Sequence, residues 1–310
     1  MDHGPTADLD TEARAAGLED LDHRATADVV RVVAGGHHVV VDSVLAAADD
    51  IAALVDAAAL RLGRGGRVLY VGAGAAGRTA AVDASEWAPT FGVAEDTVIV
   101  LLAGARERTG SAAEAAAEDD AAAGAAELAA LAPTAQDLCI AVSASGRTPY
   151  ALGALAAAAR AGALTAAITC RPGSPLSAAA DLSIDVPVGP EVVAGSSRLK
   201  AGTAQKLVLN AFSTALMVRR GRVLGNLMAG MRVSNEKLRG RAVAVCRAAT
   251  GCAEAEAHAA LDATGWALDV AVVMLARDLD ADVARERLAQ AGGHLPEALM
   301  ADRQSGQKWS

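Results

Sequence analysis

The chain has 310 residues, of which 53% are hydrophobic, 21% charged and only 2% aromatic; this is enough for one large or two medium domains with a packed core. Wholesale disorder is excluded, and the net charge of -9, from 28 basic and 37 acidic residues, argues against the basic footprint that a nucleic-acid backbone requires. The apolar content is mostly Ala, Val and Leu beside 30 Gly, so small side chains packing helices against a sheet are expected rather than aromatic clusters.

In chain order, the opening MDHGPTADLDTEARAAGLED carries acids throughout and no apolar core, so no secretory leader is expected. Thr26 to Leu62 predicts two helical segments broken at Gly35 and Gly36. From Arg67 the pattern changes to short apolar runs separated by Ala-rich stretches of helical length: RVLYV, TVIVLL, DLCIAV, TAAIT and LSIDVPV. Such runs imply a parallel sheet buried on both faces, an α/β fold whose chemistry lies at the carboxyl ends of the strands.

After Gly202 a long helix is expected to about Arg220. Its apolar run, Leu207 to Val218, is too short for the roughly 20 residues of a spanning helix, so no membrane segment is expected. Beyond Asn226, three or four short helices punctuated at Gly251, Gly265 and Gly292 with Gly293 predict a small C-terminal module. Trp266, Leu268, Val270, Val273 and Leu275 are expected in its core. The resulting division is a helical preface over 1–62, a sheet domain over 63–230, a helical module over 231–300 and a disordered tail over 301–310. Cys139, Cys170, Cys246 and Cys252 form no CxxC pair and have no His at ligand spacing, so buried thiols are expected and no metal site.

Three loops at strand ends carry polar or glycine-rich sequence. Gly72-Ala73-Gly74-Ala75-Ala76-Gly77 matches G-x-G-x-x-G between a strand and a helix. A dinucleotide site also needs an acid after the second strand, where this chain has Ala103-Gly104-Ala105. The turn therefore reads as a seat for another anion, or as a device for packing helix on strand. Ser143-Ala144-Ser145-Gly146-Arg147-Thr148 offers hydroxyls at a helix start: a phosphate cradle without a Walker lysine, or an ordinary helix cap. The third cluster runs from Glu191 to Thr203 and opens the long helix. Three polar loops at one sheet edge predict a site.

SASGRTPY, EVVAGSSRLKAGTAQKLVLN, DASEWAPT and GNLMAGMRVSNEKL together resemble the N-acetylmuramic acid 6-phosphate etherase family of the SIS (sugar isomerase) fold, over roughly Thr11 to Leu299. The resemblance implies a SIS-type parallel sheet sandwich with flanking helices and a small three-helix C-terminal module. It also implies a cytoplasmic, homodimeric carbon–oxygen lyase of peptidoglycan recycling that uses no metal, nucleotide or other cofactor. Its partner would be a small amino-sugar phosphate rather than nucleic acid or membrane. The reaction implied is removal of the D-lactyl ether of N-acetylmuramic acid 6-phosphate, giving N-acetylglucosamine 6-phosphate and D-lactate.

Cleaving an ether at C3 by elimination needs a base for the C2 proton, acidified by an open-chain C1 aldehyde, and an acid for the departing oxygen. The resemblance supplies two carboxylates. Glu86, from Asp83-Ala84-Ser85-Glu86, takes the role of acid, and Glu118, in the stretch Glu114 to Asp120, that of base. That stretch carries one inserted residue, and Glu114 shares a helical face with Glu118 at i, i+4, so the choice between them stays open. Substrate binding is implied for Gly74, Ser143, Ser145, Arg147, Thr148, Ser196, Ser197 and Lys200.

The chain departs from the family pattern in three places. Ala75 and Ala76 stand where the family has hydroxyls, Ser143 stands where it often has Ala, and Trp87-Ala88 replaces a Cys-Pro pair. Each hydrogen bond lost to a charged group costs about 1.5–3 kcal/mol. Those departures keep a second reading in view, a non-catalytic sugar-phosphate-binding regulator like the related glucokinase regulatory protein. An aldose–ketose isomerase is the third.

Overall fold

The computed structural model of the protein describes residues 12–105 and 111–300. Residues 1–11, part of the opening read for a leader, and the expected tail at 301–310 lie outside the described residues. The chain divides into two compact units: the first holds the chain through Ser85 together with Asp96–Ala215, and the second holds Glu86–Glu95 and the chain from Leu216.

In the first unit, α1 (Thr26–Gly35), α2 (His38–Ala46) and α3 (Ala48–Leu62) precede the sheet. The break at Gly36 is the one glycine predicts; a further break falls at Ala47, with no Gly or Pro to mark it. Ile51, Leu54, Val55 and Ala58 recur at i, i+3, i+4 and i+7 and are the buried residues of α3. Taken through the break at Gly36, Thr26–Ala46 is by length and composition long and apolar enough to cross a membrane, and 11% of its most apolar window is buried within the fold. The apolar run Leu207–Val218 lies within the long helix Lys200–Arg219.

The sheet follows as β1 (Val68–Gly72), α4 (Gly74–Phe91), β2 (Val98–Leu102), α5 (Ala112–Glu118), α6 (Ala121–Ala130) and β3 (Leu138–Ser143). It continues as α7 (Pro149–Arg160), β4 (Leu164–Thr169), α8 (Pro175–Ala179), β5 (Leu182–Asp185) and α9 (Lys200–Arg219). The five strands are parallel, in the order β2-β1-β3-β4-β5. Every residue of β1 and β3 is buried, as their uninterrupted apolar runs require.

Leu69, Val71, Cys139, Ala141 and Ala167 point to one face of the sheet, where they pack with Leu128 of α6, Tyr150 and Leu155 of α7, and Leu176 of α8. On the other face the Tyr70 hydroxyl donates to Asp83 of α4 at 3.0 Å, and Ser213 of α9 donates to the second Asp83 oxygen at 2.9 Å. Burial, together with the Asp83 charge, pushes the Tyr70 phenol well above its ordinary range, so this buried triad joins β1, α4 and α9 without ionising the tyrosine. Burial likewise pushes the Cys139, Cys170 and Cys246 thiols up to about 12, leaving them unreactive, and Cys252 is half-buried.

The second unit contains α10 (Glu236–Thr250), α11 (Glu254–Ala263), α12 (Leu268–Arg277), α13 (Ala281–Gln290) and α14 (Leu295–Leu299). That is more helices than the glycine punctuation predicts, because Asp278 itself takes the left-handed conformation, at φ 51°, that ends α12. Leu268, Val270 and Val273 are buried in its core. Trp266 and Leu275 are only partly buried against it, and the Arg239 guanidinium lies 4.4 Å over the Trp266 ring.

Candidate active site

In a doubly wound sheet, a crevice opens at the carboxyl edge where neighbouring strands send their connections to opposite sides. Here those strands are β1 and β3, which end side by side with Gly72 opposite Val142. A cavity of about 170 Å³ lies among the loops that follow them. It is lined by Ala73, Gly74, Ala75 and Ala76 at the start of α4, Ser143, Ala144, Ser145 and Thr148 before α7, and by Glu118, Ser197, Gln205 and Glu12.

The glycines of the first loop do two jobs. A Cβ on Gly72 would lie 2.8 Å from Gly77 Cα, and one on Gly77 would lie 2.4 Å from a Leu102 methyl, so this pair lets α4 sit directly on the strands. Gly74, at φ 51°, makes the turn into the helix, and a Cβ there would come within 3.9 Å of Glu118 Oε2. The loop thus brings the N-terminus of α4 to the cavity, and the second loop brings that of α7. Among the lining residues there is no Lys or Arg, so attraction for an anion there falls to these helix ends and to neutral donors.

Glu118 is half-buried at the end of α5, and its Oε1 accepts a hydrogen bond from Thr148 Oγ1 at 3.1 Å. Thr148 Oγ1 lies 2.9 Å from Ser143 Oγ, which in turn accepts from the Gly146 N–H at 3.1 Å. Ser145 Oγ accepts from the Arg147 N–H at 3.3 Å. Ser143 and Thr148 therefore fix the loop and aim the carboxylate. Glu114, one turn earlier on the same helix, is buried and pairs with Arg78 at 2.5 Å. Of the two acids the sequence left open, Glu118 lines the cavity and Glu114 is engaged by α4.

The structure thus brings together Gly74, Ser143, Ser145, Thr148, Ser197 and Glu118. Arg147, Ser196, Lys200 and Glu86 are not among the lining residues. Lys200 is buried, and its ammonium donates to the Val188 carbonyl at 2.7 Å. The fully buried Glu191 accepts the N–H groups of Lys200 and Ala201 at 3.0 and 2.9 Å, capping α9 with both oxygens. Glu86 is exposed on α4.

Two lining residues escaped the sequence reading. Gln205 lies inside the KAGTAQK motif, where its burial among apolar neighbours on α9 was the available signal. Glu12 had none; it is placed by Gly195, whose missing Cβ would lie 2.7 Å from Glu12 Oε2. Among the described residues, no group of three or more His, Cys, Asp and Glu side chains gathers as a metal site.

A SIS domain model matches residues 120–215, and a model of the glucokinase regulatory protein N-terminal SIS domain matches residues 50–159. An N-acetylmuramic acid 6-phosphate etherase of Streptomyces coelicolor is 46% identical over 293 residues, 94% of each chain. One from Rubrobacter xylanophilus is 49% identical over 282 residues, covering 91% of this chain and 93% of its own. An Erwinia tasmaniensis protein of the same name is 44% identical over 299 residues, 96% of this chain and 97% of its own. With the SIS sheet carrying its cavity at the β1–β3 edge, the chain belongs to the N-acetylmuramic acid 6-phosphate etherase family.

Proposed function

We propose that this protein is a carbon–oxygen lyase that releases D-lactate from N-acetylmuramic acid 6-phosphate, leaving N-acetylglucosamine 6-phosphate. The observation that carries the reading is Glu118, a carboxylate aimed by Thr148 into a cavity where two helix N-termini converge. Glu118 takes the C2 proton of the open-chain sugar, the C3–O bond breaks, and the lactyl oxygen leaves with a proton from Glu86. Water then adds across the C2=C3 bond, its oxygen to C3 and a proton to C2, with the group that protonated the leaving oxygen now accepting the water's proton. The phosphate is assigned to the hydroxyls and N–H groups of the loop before α7, with Gly74, Ser143, Ser145, Arg147, Thr148, Ser196 and Ser197 as the substrate-binding set.

The reading extends to a cytoplasmic homodimer in peptidoglycan recycling. A phosphorylated sugar stays on the side of the membrane where it was made, because its charge makes crossing costly. Val30, Val39, Val41 and Leu45, all exposed on α1 and α2, supply an apolar surface for a second copy to cover. The sheet domain over 63–230 is assigned substrate binding, and the helices over 231–300 a structural role. The test is D-lactate release from N-acetylmuramic acid 6-phosphate by the wild type and by E118Q. Release by the wild type alone supports the reading. Sugar-phosphate binding with no lactate from the wild type overturns it in favour of a regulator.

A further inference from the structure

One buried polar group in the cavity is left unused by the reaction as derived. Gln205, on the second turn of α9, is 1% exposed and lines the same cavity as Glu118 and Ser197. Its amide Nε2 is buried and has no hydrogen-bond partner among the described residues. Buried amide donors are nearly always satisfied, because leaving one empty forfeits its hydration without return. An orphan in a polar cavity therefore points to an acceptor that arrives with the ligand. Among the described residues, the lining contains two carboxylates, Glu12 and Glu118, and no cation. A dianionic ligand there must be held by neutral donors, and Gln205 is the buried one without other employment.

We propose that Gln205 is a substrate-binding residue whose Nε2 donates to an oxygen of the bound sugar phosphate, either on the phosphate or on the sugar. This rests on the sugar-phosphate reading of the site but not on turnover, so the two fail separately. An apolar side chain of similar length removes the unpartnered donor, so Gln205→Met is expected to keep the thermal midpoint of the unliganded protein. A purely structural glutamine would lower it.

The test is calorimetric titration of wild type, Q205M and Q205E with N-acetylglucosamine 6-phosphate, glucose 6-phosphate and inorganic phosphate. Loss of a hydrogen bond to a charged acceptor predicts about tenfold to a hundredfold weaker binding by Q205M. Q205E, which places a third carboxylate in the cavity, is expected to bind more weakly still, and it carries the test if Q205M does not fold. Weakening for all three ligands assigns the contact to phosphate; weakening for the sugar phosphates alone assigns it to a sugar oxygen. Unchanged binding of every ligand by both variants overturns the inference, whatever lactate assay the wild type passes or fails.

Discussion

Glu118 owes its orientation to a hydroxyl rather than to a charge, since Thr148 Oγ1 bridges from Ser143 to the carboxylate. A general base of this kind contributes about a hundredfold to ten-thousandfold. E118Q should lose lactate release by that factor while still binding N-acetylglucosamine 6-phosphate, measured by steady-state kinetics beside titration. E114Q is the contrasting variant: it weakens the pair with Arg78, so its thermal midpoint should fall while kcat stays within a few-fold of wild type. Loss of turnover in E114Q with E118Q active would reverse the assignment. T148V should reduce kcat about tenfold through a misaimed base, and T148S should restore it, because the serine keeps the bridging hydroxyl. The sequence alone could not separate Glu114 from Glu118, since residues at i, i+4 share a face. What separates them is Arg78, distant along the chain and brought to α5 by the helix that follows β1.

Asp137, just before β3, shows how the sheet is held at the edge away from the site. Its carboxylate, 2% exposed, takes the Arg67 N–H at 2.8 Å, the Arg67 guanidinium at 2.9 Å and the Thr134 N–H at 2.8 Å. Burial alone would push this carboxyl up, but the Arg67 guanidinium and the two main-chain N–H groups outweigh burial and hold it below 3.8. A group whose folded pKa is depressed contributes stability that is present above the unfolded value and lost as pH falls through the folded one. D137N should therefore cost about 2–4 kcal/mol at pH 7. The gap from wild type should narrow below pH 3.8, as read from urea unfolding at both acidities; a gap constant with pH would show that the charge is not the stabilising feature. At this scale much was legible: the five apolar runs became the five strands, because a strand buried on both faces has no reason to alternate. The break at Ala47 and the left-handed Asp278 were not, since packing imposed those turns where no glycine or proline announces them. Lys200 was likewise read as facing a ligand, whereas α9 turns its ammonium toward a carbonyl of its own fold.

For the whole molecule, Glu86 poses the remaining question, because the proposed elimination uses two carboxylates and one chain's cavity is lined by Glu118 without Glu86. Glu86 is exposed, and Val82, one helical turn before it, is 51% exposed. An apolar side chain and a carboxylate side by side on an open helix face suit a surface that another copy covers. In a homodimer with twofold symmetry, anything Glu86 of one protomer gives to its partner's cavity is returned in kind. Composition and periodicity would carry no trace of such an exchange, since they describe one chain at a time. The consequence is testable by complementation. E86Q and E118Q, each inactive alone, are unfolded together and refolded as a mixture. If Glu86 serves the partner's Glu118, a mixed dimer contains one site with both substitutions and one with neither. Random pairing makes half the dimers mixed, so lactate release should return to about a quarter of the wild-type rate. If Glu86 acts within its own chain, every site in every dimer keeps one substitution and the mixture stays as inactive as its parents.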